Sequence, residues 1–321
     1  MNADELPTLR QELEAHGLWA NKGLGQHFLL DLNITRRIAR TAGDIRGKPV
    51  LEVGPGPGGL TRALLEAGAD PLVVIEKDAR FLPLLEPLVS WSEGRLHVIH
   101  GDALGADEQS LLALDGRGGR EADGVGDSTA PPEQRSSHPL SHRASRADSS
   151  PIKGEQGSGA SVQVISNLPY NVGTPLLVKW LKAGPWRGPM TLMFQKEVAQ
   201  RIVARPRDDA YGRLAVLTEA RCDARLEFSV PARAFTPAPK IASAIVRLTD
   251  RSDPYPHLDA LERVTAAAFG QRRKMLRSAL KTLSPDAEAL LRAAGVVPTA
   301  RAEEIDQAGF RALTDAWRAR A

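Results

Sequence analysis

Short apolar runs mark the chain at 49–53, 72–76, 96–100, 162–166 and 190–195, the last four rich in Val, Ile, Leu or Met. Between them, apolar residues recur at helical spacing over 59–67, 78–88, 174–183 and 196–204. Strands that alternate with helices predict a parallel, doubly wound α/β sheet of Rossmann-like type. A helix over 211–220 and strands over 222–230 and 241–248 follow, the two strands suited to an antiparallel pair at the sheet edge. Before the first strand, 4–16 reads as a helix, and so does 33–42, with Asp31 or Asn33 as cap and Gly43 as its stop. A turn-rich linker, TDRSDPYP, occupies 249–256. Beyond it 257–269, 271–283, 285–294 and 307–319 read as helices. The pattern divides the chain into a sheet domain, 1–250, and a small helical domain, 251–321.

One stretch breaks the alternation. Residues 115–160 hold no aromatic residue, and Val125, Leu140 and Ile152 are their only Val, Ile, Leu or Met. Such a segment buries too little apolar surface to offset its ordering entropy, and is expected to be a disordered insertion. Elsewhere apolar residues are plentiful, 42% of the chain, enough for a sizeable core. No apolar run reaches membrane-spanning length, and the charged N-terminus has no signal-peptide core. Cys222 is the only cysteine, which excludes an internal disulfide and suits a reducing cytosol. A monomer is expected, since no long apolar seam is left over. The net charge of +3 says little, but its distribution says more. Arg272, Arg273, Lys274, Arg277 and Lys281 form a cluster with no acid among them, fit to meet a phosphate backbone.

The run from Val50 to Leu60, VLEVGPGPGGL, is a strand, a glycine turn and a helix start. It matches G-x-G-x-x-G, with Glu76 closing the next strand. Pro55 and Pro57 have no backbone N–H, whereas a pyrophosphate cradle needs such donors. A cofactor without phosphates at the turn fits better, and S-adenosylmethionine is one. Gly54 and Gly56 then let it approach the backbone, Glu76 accepts from its ribose hydroxyls, and Asp102 after the third strand accepts from its adenine amine.

The fourth strand runs into Asn167-Leu168-Pro169-Tyr170, of the form [Asn/Asp]-x-Pro-aromatic. An adenine N6 lone pair is delocalised into the ring and is a poor nucleophile. The Asn167 side-chain oxygen and the Leu168 or Pro169 carbonyl can accept its two hydrogens, which draws density onto nitrogen. Tyr170 offers a face for the base. The remainder is approximation, and neither a metal nor a strong base is needed.

With these motifs in place, the sequence resembles the small-subunit ribosomal RNA adenine dimethyltransferases of the kasugamycin-sensitivity type. The matching stretches are GLGQHFL (23–29), LEVGPGPGGLT (51–61), VIEKD (74–78), GDAL (101–104) and SNLPYNVGTPLL (166–177). FQKEVAQRIVA (194–204), YGRLAVL (211–217), AFTPAPKIASAIVRL (234–248) and GQRRKMLRSAL (270–280) also match. The resemblance implies a class I methyltransferase sheet with a C-terminal helical RNA-binding domain. It also implies dimethylation of two adjacent adenosines in a 3′-terminal hairpin of small-subunit rRNA, within the immature subunit. Its cofactor contacts carry over to His27, Leu29, Gly54, Glu76, Asp102 and Asn167, and Phe235 matches its second base-facing aromatic. His27 stands where many members have asparagine. The insertion departs from the family. Three other readings share parts of the pattern. A large-subunit adenine dimethyltransferase shares the catalytic motif. A DNA adenine methyltransferase more usually has Asp at position 167. A non-catalytic assembly factor would not need Glu76, Asp102 and Asn167 together.

Overall fold

The computed structural model describes residues 6–18, 27–114 and 161–320. The expected insertion, 115–160, and the loop 19–26 lie outside the described residues. Helix α1 (Leu9–Ala15) begins at a capping box, in which Thr8 and Gln11 each accept from the other's backbone N–H. Strand β1 (Phe28–Leu29) leads to α2 (Leu32–Thr41), capped by Asp31, whose carboxylate accepts from the Asn33 N–H. Then β2 (Val50–Val53), α3 (Gly59–Glu66), β3 (Leu72–Glu76), α4 (Leu82–Trp91), β4 (Leu96–His100) and α5 (Glu108–Leu114) alternate. After the undescribed stretch come β5 (Val162–Asn167), α6 (Gly173–Lys182), β6 (Arg187–Gln195), α7 (Lys196–Val203), α8 (Arg213–Glu219) and β7 (Cys222–Val230). Strands β8 (Phe235–Thr236) and β9 (Ser243–Asp250) complete the sheet region.

Seven strands lie in the order β4-β3-β2-β5-β6-β9-β7. The first five are parallel, and β9 pairs antiparallel with both β6 and β7. The expected antiparallel pair is therefore present, with β7 at the edge. Helices cover both faces, so β2 and β3 are buried at every position. Val50, Leu72, Val74 and Ile165 turn toward α2 and α3. Leu51, Val53, Val73 and Val164 turn toward α6 and α8 on the other side. Strand order reverses between β2 and β5, which places a crevice at their carboxyl ends.

Helices α9 (Leu258–Gly270), α10 (Leu276–Ala279), α11 (Ala287–Ala293) and α12 (Gln307–Arg318) form the tail. The apolar cluster beside α8 continues through Leu258, Leu261, Leu290 and Phe310. Tyr211 donates to the Ile305 carbonyl at 2.9 Å, and Phe269 stacks on Phe310. The division near residue 250 is thus a change from sheet to helices within one continuous apolar cluster.

Two expectations need correction. The helix expected over 271–283 does not form as one piece. Leu276 N–H donates to the Ala300 carbonyl, and Met275 bridges Arg301. Backbone groups captured by the 298–301 segment leave only the short α10 and a 3₁₀ turn, Leu280–Thr282. The helix expected over 78–88 starts as a 3₁₀ turn, Ala79–Phe81, and becomes α-helical from Leu82, where Pro83 suits the first turn. No helix among the described residues is long and apolar enough to cross a membrane.

Candidate active site

The crevice at the ends of β2 and β5 is an open cleft of about 770 Å³ of empty space. Of the residues expected from the sequence, His27, Leu29, Gly54, Gly56, Glu76, Asn167, Leu168, Pro169, Tyr170 and Phe235 all line it. Glu52, Phe28 and Phe81 line it as well. Asp102 and the basic cluster at 272–277 do not.

The floor is the turn after β2. Gly54 has φ 67°, and a Cβ there would stand 3.3 Å from Cδ of Pro169. A side chain would therefore strain the backbone and crowd the turn after β2 against the turn after β5. Gly56 has φ 52°, and its N–H donates to Glu76 Oε2 at 3.0 Å. The other carboxylate oxygen of Glu76 accepts from the Asp78 N–H at 2.8 Å. Burial pushes the Glu76 carboxyl above its ordinary value, while the backbone donors of Asp78, Gly56 and Lys77 pull it back.

Glu52 lies deeper, 1% exposed in the middle of β2. Burial pushes its carboxyl up to about 8, against the hydrogen bond from the Thr61 hydroxyl at 2.7 Å. Its signal in the sequence was an acid inside an otherwise apolar, doubly covered strand, Val50-Leu51-Glu52-Val53.

Opposite the floor stands the turn after β5. Asn167 ends the strand, and the peptide then passes through Pro169 to Tyr170. The Tyr170 hydroxyl meets Ser243 Oγ at the start of β9, 2.6 Å away. This bond fixes the ring from the hydroxyl end, while partial burial raises the phenol above its ordinary value. His27 lies 5.7 Å from the Tyr170 ring, and its Nδ1 donates to the Pro237 carbonyl at 2.8 Å. Only the Nδ1–H tautomer or the cation can make that bond.

The third wall could not be read from sequence spacing. Strand β1 pairs antiparallel with β8, Leu29 opposite Phe235. That ladder brings the loop before α2 to the proline-rich loop before β9. Phe235 is 4% exposed, part of the α2-side core as well as of the cleft wall. Phe28 packs edge-on against Phe81, with ring centroids 5.4 Å apart.

Asp102 stands outside these walls, beyond the end of β4. Its carboxylate pairs with Lys77 at 2.8 Å and accepts from the Leu104 N–H at 3.0 Å, which holds it below the usual range. The loop that carries it is tied to α6. Lys179 Nζ donates to the Ala103 and Ala106 carbonyls, both at 2.6 Å, and pairs with Glu108 at 2.8 Å. In the tail, Arg272 pairs with Glu303 at 3.1 Å and donates to the Asp209 carbonyl at 2.7 Å. Arg277 approaches Glu288 at 3.7 Å, while Arg273 and Lys274 are exposed.

A cleft at the switch point, with a glycine turn facing an Asn-Leu-Pro-Tyr turn, can hold a cofactor on one side and a flat base on the other. Known proteins resemble this chain. Residues 17–316 match the family model for ribosomal RNA adenine dimethylase. A ribosomal RNA small subunit methyltransferase A from Phenylobacterium zucineum is 53% identical over 323 residues, covering 100% of this chain and 96% of the relative. Its counterpart from Azorhizobium caulinodans is 48% identical over 318 residues, covering 98% of this chain and 94% of that one. The crystal structure of a dimethyladenosine transferase from Plasmodium falciparum has the same fold. Its TM-score is 0.62 at 22% identity, covering 89% of this chain and 96% of that one. The 23S rRNA methyltransferase ErmE gives 0.57 at 25% identity, covering 91% of this chain and 99% of that one. With its cleft, its motifs and these relatives in agreement, the chain belongs to the ribosomal RNA adenine dimethylase family.

Proposed function

We propose that this protein methylates the N6 amine of two adjacent adenosines in a 3′-terminal hairpin of small-subunit rRNA, on the immature subunit in the cytosol. The observation that carries this reading is the convergence of Asn167, Tyr170 and Phe235 on the cleft floored by Gly54 and Gly56. S-adenosylmethionine fits the residues present. The glycine turn leaves room where a Cβ would intrude, Glu76 lines the cleft, and Pro55 and Pro57 offer no N–H to a phosphate. When bound, the cofactor supplies an electrophilic methyl group. Gly54, Gly56, Glu76, His27 and Leu29 would hold it, and Asp102 would accept from its adenine amine.

The chain's own groups do the rest. The Asn167 side-chain oxygen and the Leu168 carbonyl accept the two N6 hydrogens, since the Pro169 carbonyl already accepts from the Val172 and Gly173 N–H groups, and this favours a pyramidal nitrogen. Tyr170, pinned by Ser243, presents its ring to the base, and Phe235 lines the adjoining wall. Preorganisation of this kind lowers the barrier because no acceptor or ring must reorient at the moment of transfer. Arg273 and Lys274, free on the surface of the tail, would meet phosphates, and Arg272 and Arg277 would add charge beside them.

Transfer of labelled methyl groups to immature small subunits, naked small-subunit rRNA, large-subunit rRNA and DNA tests the assignment. Immature small subunits should accept label into N6,N6-dimethyladenosine. Label on large-subunit rRNA or DNA instead would overturn it.

A further inference from the structure

Four arginines gather on the α2 side of the far sheet edge. Arg225 of β7 and Arg247 of β9 are register partners across the antiparallel pair. On the same pair Phe228 lies opposite Ile245 and packs against the α2-side core. Arg37 of α2 lays its guanidinium over the Phe228 ring, 3.9 Å from the centroid. A Cβ at Gly43, just past α2, would meet Nη2 of Arg247 at 3.4 Å. Arg40, exposed, follows Arg37 by three residues and so neighbours it on the helix surface. Residues far apart in the chain thus bring four guanidinium groups to one face.

Among the described residues, none of the four has an ion pair. Three of the acids around them are engaged elsewhere. Asp223 pairs with Arg251 at 3.0 Å, Glu66 pairs with Arg36 at 2.6 Å on the other flank of α2, and Asp44 stands 4.0 Å from Lys48. Glu227, at the β7 bulge, is exposed. The buried Nε of Arg247 has no hydrogen-bond partner. Like charges directly opposite in a strand pair destabilise it. A sheet edge that keeps Arg225 against Arg247, with two more cations beside them, carries a positive potential that a polyanion would relieve.

The patch is placed to matter for the cleft. Ser243, which holds Tyr170, starts β9, and Arg247 follows four residues later, roughly 13 Å along the strand. That is about four nucleotide steps at the rise of a duplex. We propose that Arg37, Arg40, Arg225 and Arg247 form a second phosphate-binding surface, separate from the tail cluster, which grips the RNA backbone flanking the target adenosines. The inference rests on the reading that RNA is the substrate.

The full-length chain and an unmethylated small-subunit rRNA hairpin supply the test. Arg40→Gln with Arg225→Gln alters only exposed side chains, and Arg247→Gln is the second variant. Each should bind the hairpin at least about fivefold more weakly, with a log–log salt slope shallower by about one for each phosphate that is no longer neutralised. Cofactor affinity should match the wild type and Tm should not fall, since repulsion across the strand pair is relieved, and Arg37→Lys, which keeps the charge, should keep the slope. Unchanged affinity and slope in both neutral variants would overturn the proposal and leave these arginines as guards of an exposed strand edge. Methylation by the wild type is scored in parallel. If the wild type methylates small subunits while the slopes stay unchanged, only this inference fails. If the slopes fall while the wild type methylates nothing, the RNA surface stands and the assigned reaction falls.

Discussion

Glu52 shows how a single residue couples the cleft to pH. Its carboxyl, pushed up to about 8 from an ordinary 4.5 by burial, is largely protonated at neutral pH. The native state therefore holds a proton that the unfolded chain releases between those two values. The Glu52 contribution to stability is greatest below about pH 4.5 and falls as pH rises through about 8. Glu52→Gln keeps an acceptor for Thr61 and cannot ionise. Its Tm, followed by calorimetry, should decline less than that of the wild type from pH 5 to pH 8. Parallel curves would show that Glu52 does not titrate in this window. At the reacting end of the cleft, Asn167→Ala removes one acceptor of an N6 hydrogen and should slow single-turnover methylation about 100- to 1000-fold. Tyr170→Phe keeps the ring and loses only the bond to Ser243, worth about 1 kcal/mol, so its loss should be much smaller than that of Tyr170→Ala. A rate for Asn167→Ala within about threefold of wild type would remove Asn167 from the reaction.

Helix α1 illustrates what an element adds that its own residues do not reveal. Its helical pattern was readable over 4–16, but its start was not, since the helix begins only at Leu9, after the Thr8–Gln11 capping box. What its buried face covers was not readable either. Leu13, 1% exposed, packs with Phe28, Phe81 and Leu84, and Phe28 and Phe81 line the cleft. The Pro7 carbonyl also accepts from Arg62 of α3 at 3.2 Å. Leu13→Ala should cost about 2–5 kcal/mol by denaturant titration, the usual range for a buried leucine. It should also weaken cofactor binding, because the aromatic pair beneath it loses support. An unchanged cofactor affinity in a destabilised variant would confine α1 to stability. The tail gives the converse lesson. The periodicity over 271–283 was correct for burial, since Leu276 and Leu280 are both fully buried. It was wrong for the backbone, because Ala300 and Arg301 compete for the same hydrogen-bonding groups.

For the whole molecule, the question is how the 115–160 segment relates to the cleft. Both flanks are anchored by described residues. On one side Glu108 accepts from Trp180 Nε1 at 3.0 Å and pairs with Lys179. On the other, Val162 opens β5 and pairs with Arg187 of β6. The sheet and α6 thus tie down the elements that carry Asp102 and Asn167, and loop entropy changes slowly with length. Replacement of 115–160 by a short Gly-Ser linker should leave Tm and cofactor affinity close to those of the full chain. Lost cofactor binding would give the segment a structural role, and poor methylation with normal cofactor binding would give it a role with RNA.

The sequence by itself determined the local chemistry. Alternation of strand and helix periods specified the doubly wound sheet, since burial on both faces demands continuous apolar strands. The glycine turn, Glu76 and the Asn-Leu-Pro-Tyr turn were legible because each needs particular residue types in a short span. Tertiary structure decided which distant segments meet. Pairing of Phe28–Leu29 with Phe235–Thr236 closes the cleft across some two hundred residues, and neither dipeptide has enough pattern to announce a strand. The same holds for Arg272, drawn to Glu303, and for Arg225 and Arg247, set side by side by a strand register. Charge and hydrogen-bond partners far apart in the chain leave no periodic trace in it, because only the folded backbone sets the distance over which they act.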